Sequence, residues 1–283
     1  MNTICICVLN YNNGAKTISC IRSILSQSFD NFRIVIIDNH STDDSLKLIQ
    51  SFLEDEHQAP CYISNIKDAR DVFKTPGQVV IIPSDVNGGY GLGNNMGMRL
   101  AKSSTIFSHL LIINNDILLE KDFLEQMQKR YETLQQSYKS KHIALGATEL
   151  GHDGAIHHHG FHYIHLLSGI TFFKSYRPSF KYIVGSCIFI DINAPLMDES
   201  FFLYFDDTQY AKILLRNNYI LDSSPNSHYV HEVGGTPKHN IQLQIFRSLL
   251  HFYRLNYLWL LPVVFPVRVL LLGYLWLKPG SKR

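Results

Sequence analysis

The chain has 283 residues, 46% of them hydrophobic, with 26 Lys+Arg against 24 Asp+Glu and a formal net charge of +2. That length supports a sizeable core without staples. The near-neutral balance excludes broad electrostatic attraction to nucleic acid or to an acidic partner.

Cys5, Cys7, Cys20, Cys61 and Cys187 form no C-x-x-C pair and sit mostly in apolar runs, which reads as reduced, buried thiols. No basic n-region precedes the apolar run 4–9, so the expectation is a cytoplasmic chain without a secretory signal.

Residues 3–9 read as a buried strand ending in the loop 10–14, followed by a helix with Ile18, Ile21 and Leu25 on one face. Residues 32–37 predict a second strand ending at Asp38. Ser41 with Asp44 then resembles a capping box opening a helix striped by Leu46, Ile49 and Leu53. The runs 79–82 and 110–113 predict two more strands, with a helix between them at 94–102. This alternation points to an α/β fold with a mainly parallel sheet, whose ligands bind beyond the carboxyl ends of the strands. The polar loops 10–13, 38–39, 85–93 and 114–116 all fall at that edge.

A polar helix at 121–138, a short strand at 143–147, a strand at 182–190 and a helix at 207–217 complete the pattern. Between them, 151–169 carries His157, His158, His159, His162 and His165 among glycines; the spacing matches no metal site, and a mobile loop is expected.

Asn114-Asn115-Asp116 follows the apolar run 110–113 directly, placing hard oxygen ligands where Mg²⁺ or Mn²⁺ could bridge a diphosphate. Such a tripeptide also makes an ordinary turn. Asp206-Asp207 opens a helix and could aim a carboxylate at a hydroxyl, or simply complement the helix dipole. His231, beside Gly234-Gly235, could ligate a metal through neutral imidazole or be structural.

Tyr11-Asn12, the stretch 36–43, the glycine-rich run 87–97, Asn114-Asn115-Asp116 and the stretch 201–207 resemble, in order and spacing, the family 2 inverting glycosyltransferases. The likeness covers roughly residues 3–240 and lies nearest the bacterial rhamnosyltransferases and galactofuranosyltransferases of surface polysaccharide synthesis. It implies a GT-A fold: a Rossmann-like, mainly parallel sheet flanked by helices.

By that resemblance Tyr11 and Asp38 lie against the nucleotide base. Asn12, Asn87, Gly88 and the run to Asn94 line the donor, and Asn115 assists. Asp116, Asn114 and His231 hold Mg²⁺ or Mn²⁺, Asp207 is the catalytic base, and Asp206 orients the site or keeps Asp207 ionised. Asparagines at 114 and 115 depart from the acidic D-x-D form and put metal dependence to the test.

The implied reaction transfers a sugar, rhamnose favoured, from a dTDP- or UDP-sugar to a glycan or polyprenyl-linked acceptor of O-antigen or capsule. Galactofuranosyl or hexopyranosyl transfer, or a catalytically weak nucleotide-sugar-binding protein, are the alternatives. A nucleotidyltransferase is disfavoured because the loop 10–14 lacks a G-x-G-rich basic signature.

After a domain at 1–240, residues 241–283 form an apolar, basic helical tail. Pro262 and Pro266 interrupt its apolar stretch, leaving pieces shorter than the roughly 20 residues a spanning helix needs. Arg247, Arg254, Arg268, Lys278, Lys282 and Arg283 interleave with Trp259, Tyr274 and Trp276, a mixture suited to an anionic membrane surface. A helical pair packed on the domain or on a dimer partner is the other reading.

Overall fold

The computed structural model describes residues 3–56, 58, 60–62, 72–73, 79–138, 142–232 and 241–277, with side chains as far as residue 271. The glycine pair after His231 and the basic residues 278, 282 and 283 lie outside the described residues, as do the side chains of Tyr274 and Trp276.

In chain order the elements are β1 (Thr3–Asn10), α1 (Gly14–Leu25), β2 (Phe32–Asp38), α2 (Ser45–Asp55), β3 (Cys61–Tyr62), β4 (Val79–Pro83), α3 (Gly89–Ser103) and β5 (Phe107–Asn114). There follow β6 (Ile117–Leu119), α4 (Phe123–Tyr138), β7 (Ile143–Leu150), β8 (Ile156–His159), β9 (Phe161–His165), β10 (Thr171–Phe172), β11 (Ser179–Ile183) and β12 (Cys187–Asp191). The chain ends with α5 (Asp206–Arg216), β13 (Ile220–His231), α6 (Ile241–Asn256) and α7 (Leu261–Leu277).

The main sheet runs β3-β4-β2-β1-β5-β12-β7-β13-β6, with β8 on β7, and a small second sheet runs β10-β9-β11. Strands β4, β2, β1 and β5 are parallel; β12 enters antiparallel between β5 and β7.

In β1 the period of two is read on both faces. Cys5 and Cys7 belong to one core layer, Ile4, Ile6 and Val8 to the other, and all five are fully buried. Register then decides where the loops meet. Asn10 pairs with Asp38, Asp38 with Pro83 and Leu9 with Asn114, so the loops after four strands open at one edge.

Five local expectations are corrected. Helix α3 begins at Gly89 rather than at 94. Its glycines are required by close approach: Gly89 has φ +78°, and a Cβ there would stand 2.1 Å from the Phe202 carbonyl oxygen.

The Ser41/Asp44 capping box does not form. Ser41 Oγ donates to Asp38 instead, and Asp43 Oδ1 accepts the Ser45 N–H at 3.0 Å.

The strand expected at 182–190 splits into β11 and β12 around a turn at Gly185, whose carbonyl accepts from Tyr90 Oη and whose N–H donates to Asp207. The histidine-rich stretch contains the ordered strands β8 and β9. His157 and His158 are drawn onto Glu149 of β7, 3.2 Å from its two oxygens.

Neither proline ends α7. Pro262 lies in the first turn, where its missing N–H has no intrahelical role, and Pro266 removes a single internal bond. Among the described residues no helix is long and apolar enough to cross a membrane.

Helix α6 is built into the core. Leu249, Phe252 and Tyr253 are fully buried, Ser248 Oγ donates to the Leu203 carbonyl at 2.7 Å, and Asn256 Nδ2 donates to Gln209 Oε1 at 2.6 Å.

Candidate active site

The strand ends carry a buried polar knot. Asn10, 0% exposed, donates from Nδ2 to Asp38 Oδ1 at 2.7 Å and to Ser41 Oγ at 3.0 Å, and its Oδ1 accepts from Thr17 and Asn115. Asp38 also accepts from the Ser41 N–H. These bonds tie the loops after β1 and β2 together, in keeping with the rule that buried polar groups are satisfied.

Asn12, in a left-handed conformation (φ 48°), accepts the Thr42 N–H at 2.7 Å and leaves Tyr11 exposed at the rim. Asn115 turns inward, donating to Asn10 and to Thr17 Oγ1.

The entry to α3 is a second knot. Asn39 Nδ2 donates to Asn87 Oδ1 and to the Gly89 carbonyl, and its Oδ1 accepts the Gly88 N–H. Asn87 Oδ1 also accepts the Gly89 N–H at 3.1 Å. Asn94 has no exposed surface, and its Nδ2 donates to the Tyr90 carbonyl.

Asp116 and His231 are 115 positions apart and meet in space, Oδ1 to Nε2 at 3.1 Å. The other ring nitrogen lies 3.3 Å from Glu149 Oε2, and Tyr229 Oη donates to that same carboxylate at 3.1 Å. Burial pulls the His231 imidazole down, but its hydrogen bonds to Asp116 and Glu149 and their charges prevail and push it up to about 9. Burial pushes Glu149 up, and the hydrogen bonds from His158, His231 and His157 outweigh it, holding the carboxyl well below the usual range.

The donor set fits a divalent ion. Asp116 offers a carboxylate oxygen and His231 an imidazole nitrogen 3.1 Å apart, two donor types that could hold such an ion together. A carboxylate on the far nitrogen is the usual arrangement that orients a ligating imidazole. Among the described residues no group of three or more His, Cys, Asp or Glu side chains is arranged to hold a metal. Further coordination would therefore come from Asn114, from water or from a diphosphate.

A cavity of about 440 Å³ opens beside this pair, with Asn114, His231, Asp206, Asp207, Tyr90 and Tyr182 in its wall. Tyr204 and Phe205, just before the acids, both adopt left-handed backbone (φ 65° and 63°). Each such residue costs about 1–3 kcal/mol, strain that tertiary structure must hold in place.

Asp207 Oδ1 accepts from the Thr208 N–H at 2.6 Å and Oδ2 from the Gly185 N–H at 3.3 Å. Burial raises both acids, and the charge of Asp207 raises Asp206 further, so the pair retains a proton near neutrality. The backbone donors favour Asp207 as the first to ionise.

Reading the sequence did not single out Glu149, Asn39, Tyr90 or Tyr182, and it gave Arg268 to a membrane surface, whereas Arg268 lines this cavity. Only Glu149 carried a usable signal, an acid near the end of an otherwise uncharged, largely apolar strand.

Residues 5–138 match the family described as Glycosyl transferase family 2. Glycosyltransferase GlyG of Streptococcus pneumoniae serotype 4 is 22% identical over 122 residues, covering 43% of this chain and 33% of that protein. The chain therefore spans about a third of that relative. Its fold resembles the mannosyltransferase PcManGT from Pyrobaculum calidifontis in complex with GDP-Man and Mn²⁺ (TM-score 0.54, 13% identity, 99% of this chain and 81% of that one). It also resembles residues 1–349 of S. aureus TarS in complex with UDP (TM-score 0.50, 13% identity, 89% and 72%). The architecture is accordingly GT-A-like: a mixed, mostly parallel sheet flanked by helices, with C-terminal helices. None of these likenesses distinguishes rhamnosyl from galactofuranosyl transfer.

Proposed function

We propose that the chain is an inverting glycosyltransferase that moves a sugar from a nucleoside-diphosphate donor to a hydroxyl of a glycan or lipid-linked acceptor. One observation carries this reading: Asp207 lies in the same cavity wall as Asn114 and His231, so a proton acceptor and the strand-end polar groups face one space. The family match over residues 5–138 supports it, and the resemblance of the motifs favours rhamnose as the sugar and surface polysaccharide as the product.

In this reading Asp207 takes the proton of the acceptor hydroxyl, and that oxygen attacks the anomeric carbon from the face opposite the leaving group. The bond from carbon to the diphosphate oxygen breaks, its electron pair leaves with the nucleoside diphosphate, and configuration inverts. Asp116 and His231, with Asn114 beside them, would hold Mg²⁺ or Mn²⁺. When bound, that ion neutralises charge developing on the diphosphate. Tyr11, Asn12 and the knots at Asp38 and Asn87 shape the donor side, with Gly88, Asn94 and Asn115 holding those loops in place. Asp206, at the start of α5, retains the pair's shared proton.

The second element is location. Leu258 and Trp259, in the short 3-10 turn Leu258–Leu260 between α6 and α7, and Leu270 of α7 are 65%, 75% and 74% exposed, a set suited to lying in a membrane interface.

The test is a panel of nucleotide sugars, with and without Mn²⁺ and chelator, read by release of nucleoside diphosphate. Consumption of one donor, abolished in Asp207→Asn with nucleotide binding retained, is the expected result. Release of pyrophosphate, or full turnover by Asp207→Asn, would overturn the assignment.

A further inference from the structure

Helix α3 reaches the acid pair through one side chain. Its first turn is fixed by the knot of Asn39 and Asn87, and from that turn Tyr90 makes contacts in two directions. The Tyr90 N–H donates to the Phe202 carbonyl at 3.0 Å, in the segment that leads into Asp206. Its hydroxyl crosses to the turn between β11 and β12 and donates to the Gly185 carbonyl. Tyr90 therefore grips both chain segments that lie against Asp207.

Gly185 is the point of contact. Its N–H donates to Asp207 Oδ2 at 3.3 Å, and a Cβ at Gly185 would stand 3.2 Å from Asp207 Cβ and 3.5 Å from Tyr90 Oη. The absence of a side chain lets the tyrosine and the carboxylate approach the turn together. The other oxygen of Asp207 is held from within α5, by the N–H and hydroxyl of Thr208. Among the described residues the Gly185 N–H is thus the one hydrogen bond that Asp207 receives from another element. On either side of Gly185, the Val184 N–H donates to the Gly160 carbonyl and the Ser186 carbonyl accepts the Asn114 N–H. The Gly185 carbonyl is left as the group that Tyr90 secures.

We propose that Tyr90 is a positioning residue for the base: its hydroxyl fixes the backbone at Gly185, and the Gly185 N–H in turn aims Asp207 into the cavity. This role rests on the transferase reading, in which Asp207 takes the acceptor proton. A hydrogen bond donated to a carboxylate favours its ionised form, so a loosened Gly185 N–H raises Asp207. Tyr90 itself stays neutral, because burial and the charges of Asp206 and Asp207 push its hydroxyl well above the ordinary value. It acts by hydrogen bonding and not by charge. Asp206, Tyr182 of β11, Tyr204, His231 of β13 and Arg268 of α7 also face the cavity, and removing the Tyr90 hydroxyl leaves all of them in place.

The test compares the full chain with its Tyr90→Phe variant, which keeps the ring and loses the hydroxyl. Hydrogen exchange followed by mass spectrometry should quicken about fivefold or more in peptides covering Gly185 and stay unchanged in β1, a readout that needs no turnover. With the nucleotide sugar that the donor panel identifies, kcat/KM near pH 5.5 should fall about threefold or more. The loss should shrink toward pH 8, as expected of a base whose ionisation has moved to higher pH. Donor KM and melting temperature should match those of the parent. An unshifted pH profile would overturn the proposal whatever the exchange shows, and unchanged exchange would do the same. A loss of equal size at every pH would instead make the hydroxyl a group that touches substrate, and a raised donor KM with the profile unmoved would give it to the donor. If the parent consumes no nucleotide sugar, the transferase reading fails, while the exchange arm still decides whether the hydroxyl holds the turn.

Discussion

Glu149 Oε2 lies 3.3 Å from His231 Nδ1, on the side of the ring opposite Asp116. An acid at the end of β7 therefore decides which nitrogen of the histidine faces the strand-end carboxylate, and it is itself held by His157, His158 and Tyr229.

If that relationship orients a metal ligand, Glu149→Gln should weaken Mn²⁺ binding about tenfold, the scale of loss usual when the partner of a ligating imidazole is altered. Calorimetric titration of Mn²⁺ in the presence of UDP checks it, and unchanged affinity would remove Glu149 from the role.

The acid pair predicts two pH effects. Asp207, raised to about 6, must be ionised to act as base, so kcat/KM should climb as pH rises through about 6. Tyr90 and Tyr182, kept neutral by burial, add no charge in this range. A flat profile between pH 5 and 7 would argue against Asp207.

Stability has the opposite slope. Both folded pKa values lie above the unfolded carboxylate value of roughly 4, so the native state binds more protons. Its stability is fully present below pH 4 and is lost as pH rises through about 6 and about 8. Asp206→Asn removes one of these charges. Its melting temperature relative to the parent should increase from pH 5 to pH 9, as measured by thermal unfolding in matched buffers.

Gly89→Ala should cost about 2 kcal/mol or more, since a strained φ costs about 1–3 kcal/mol and the new Cβ would stand 2.1 Å from the Phe202 carbonyl oxygen. Gly154 has a similar φ of +77° with nothing within 4 Å, so Gly154→Ala isolates the conformational part. Comparable losses for the two variants in chemical denaturation would mean that the Phe202 contact is unimportant.

If the C-terminal segment lies on a membrane surface, as proposed, replacing Trp259 and Leu270 together by Ser should weaken binding to vesicles containing anionic lipid by about tenfold or more, from the loss of apolar burial. Co-sedimentation with vesicles decides it, and an unchanged bound fraction would leave these side chains without that role.

The sequence by itself determined the strands with a period of two on both faces, such as β1, and the polar residues at their carboxyl ends. It did so because burial pattern and chain breaks are local properties. It also carried the ordered motifs behind the family likeness.

The start of α3 was out of reach, because glycines are poor helix formers and it is the Phe202 carbonyl, over a hundred positions away, that accepts the Tyr90 N–H and holds the first turn. The histidine stretch was misread for the same reason: its order comes from Glu149, which local composition does not reveal.

Tertiary structure alone decided that Asp116 meets His231, that Asn115 turns inward to Asn10, and that Arg268 of the C-terminal helix enters the cavity of Asp207. Each is a contact between segments whose separation is set by sheet order and packing. No periodicity within either segment encodes it.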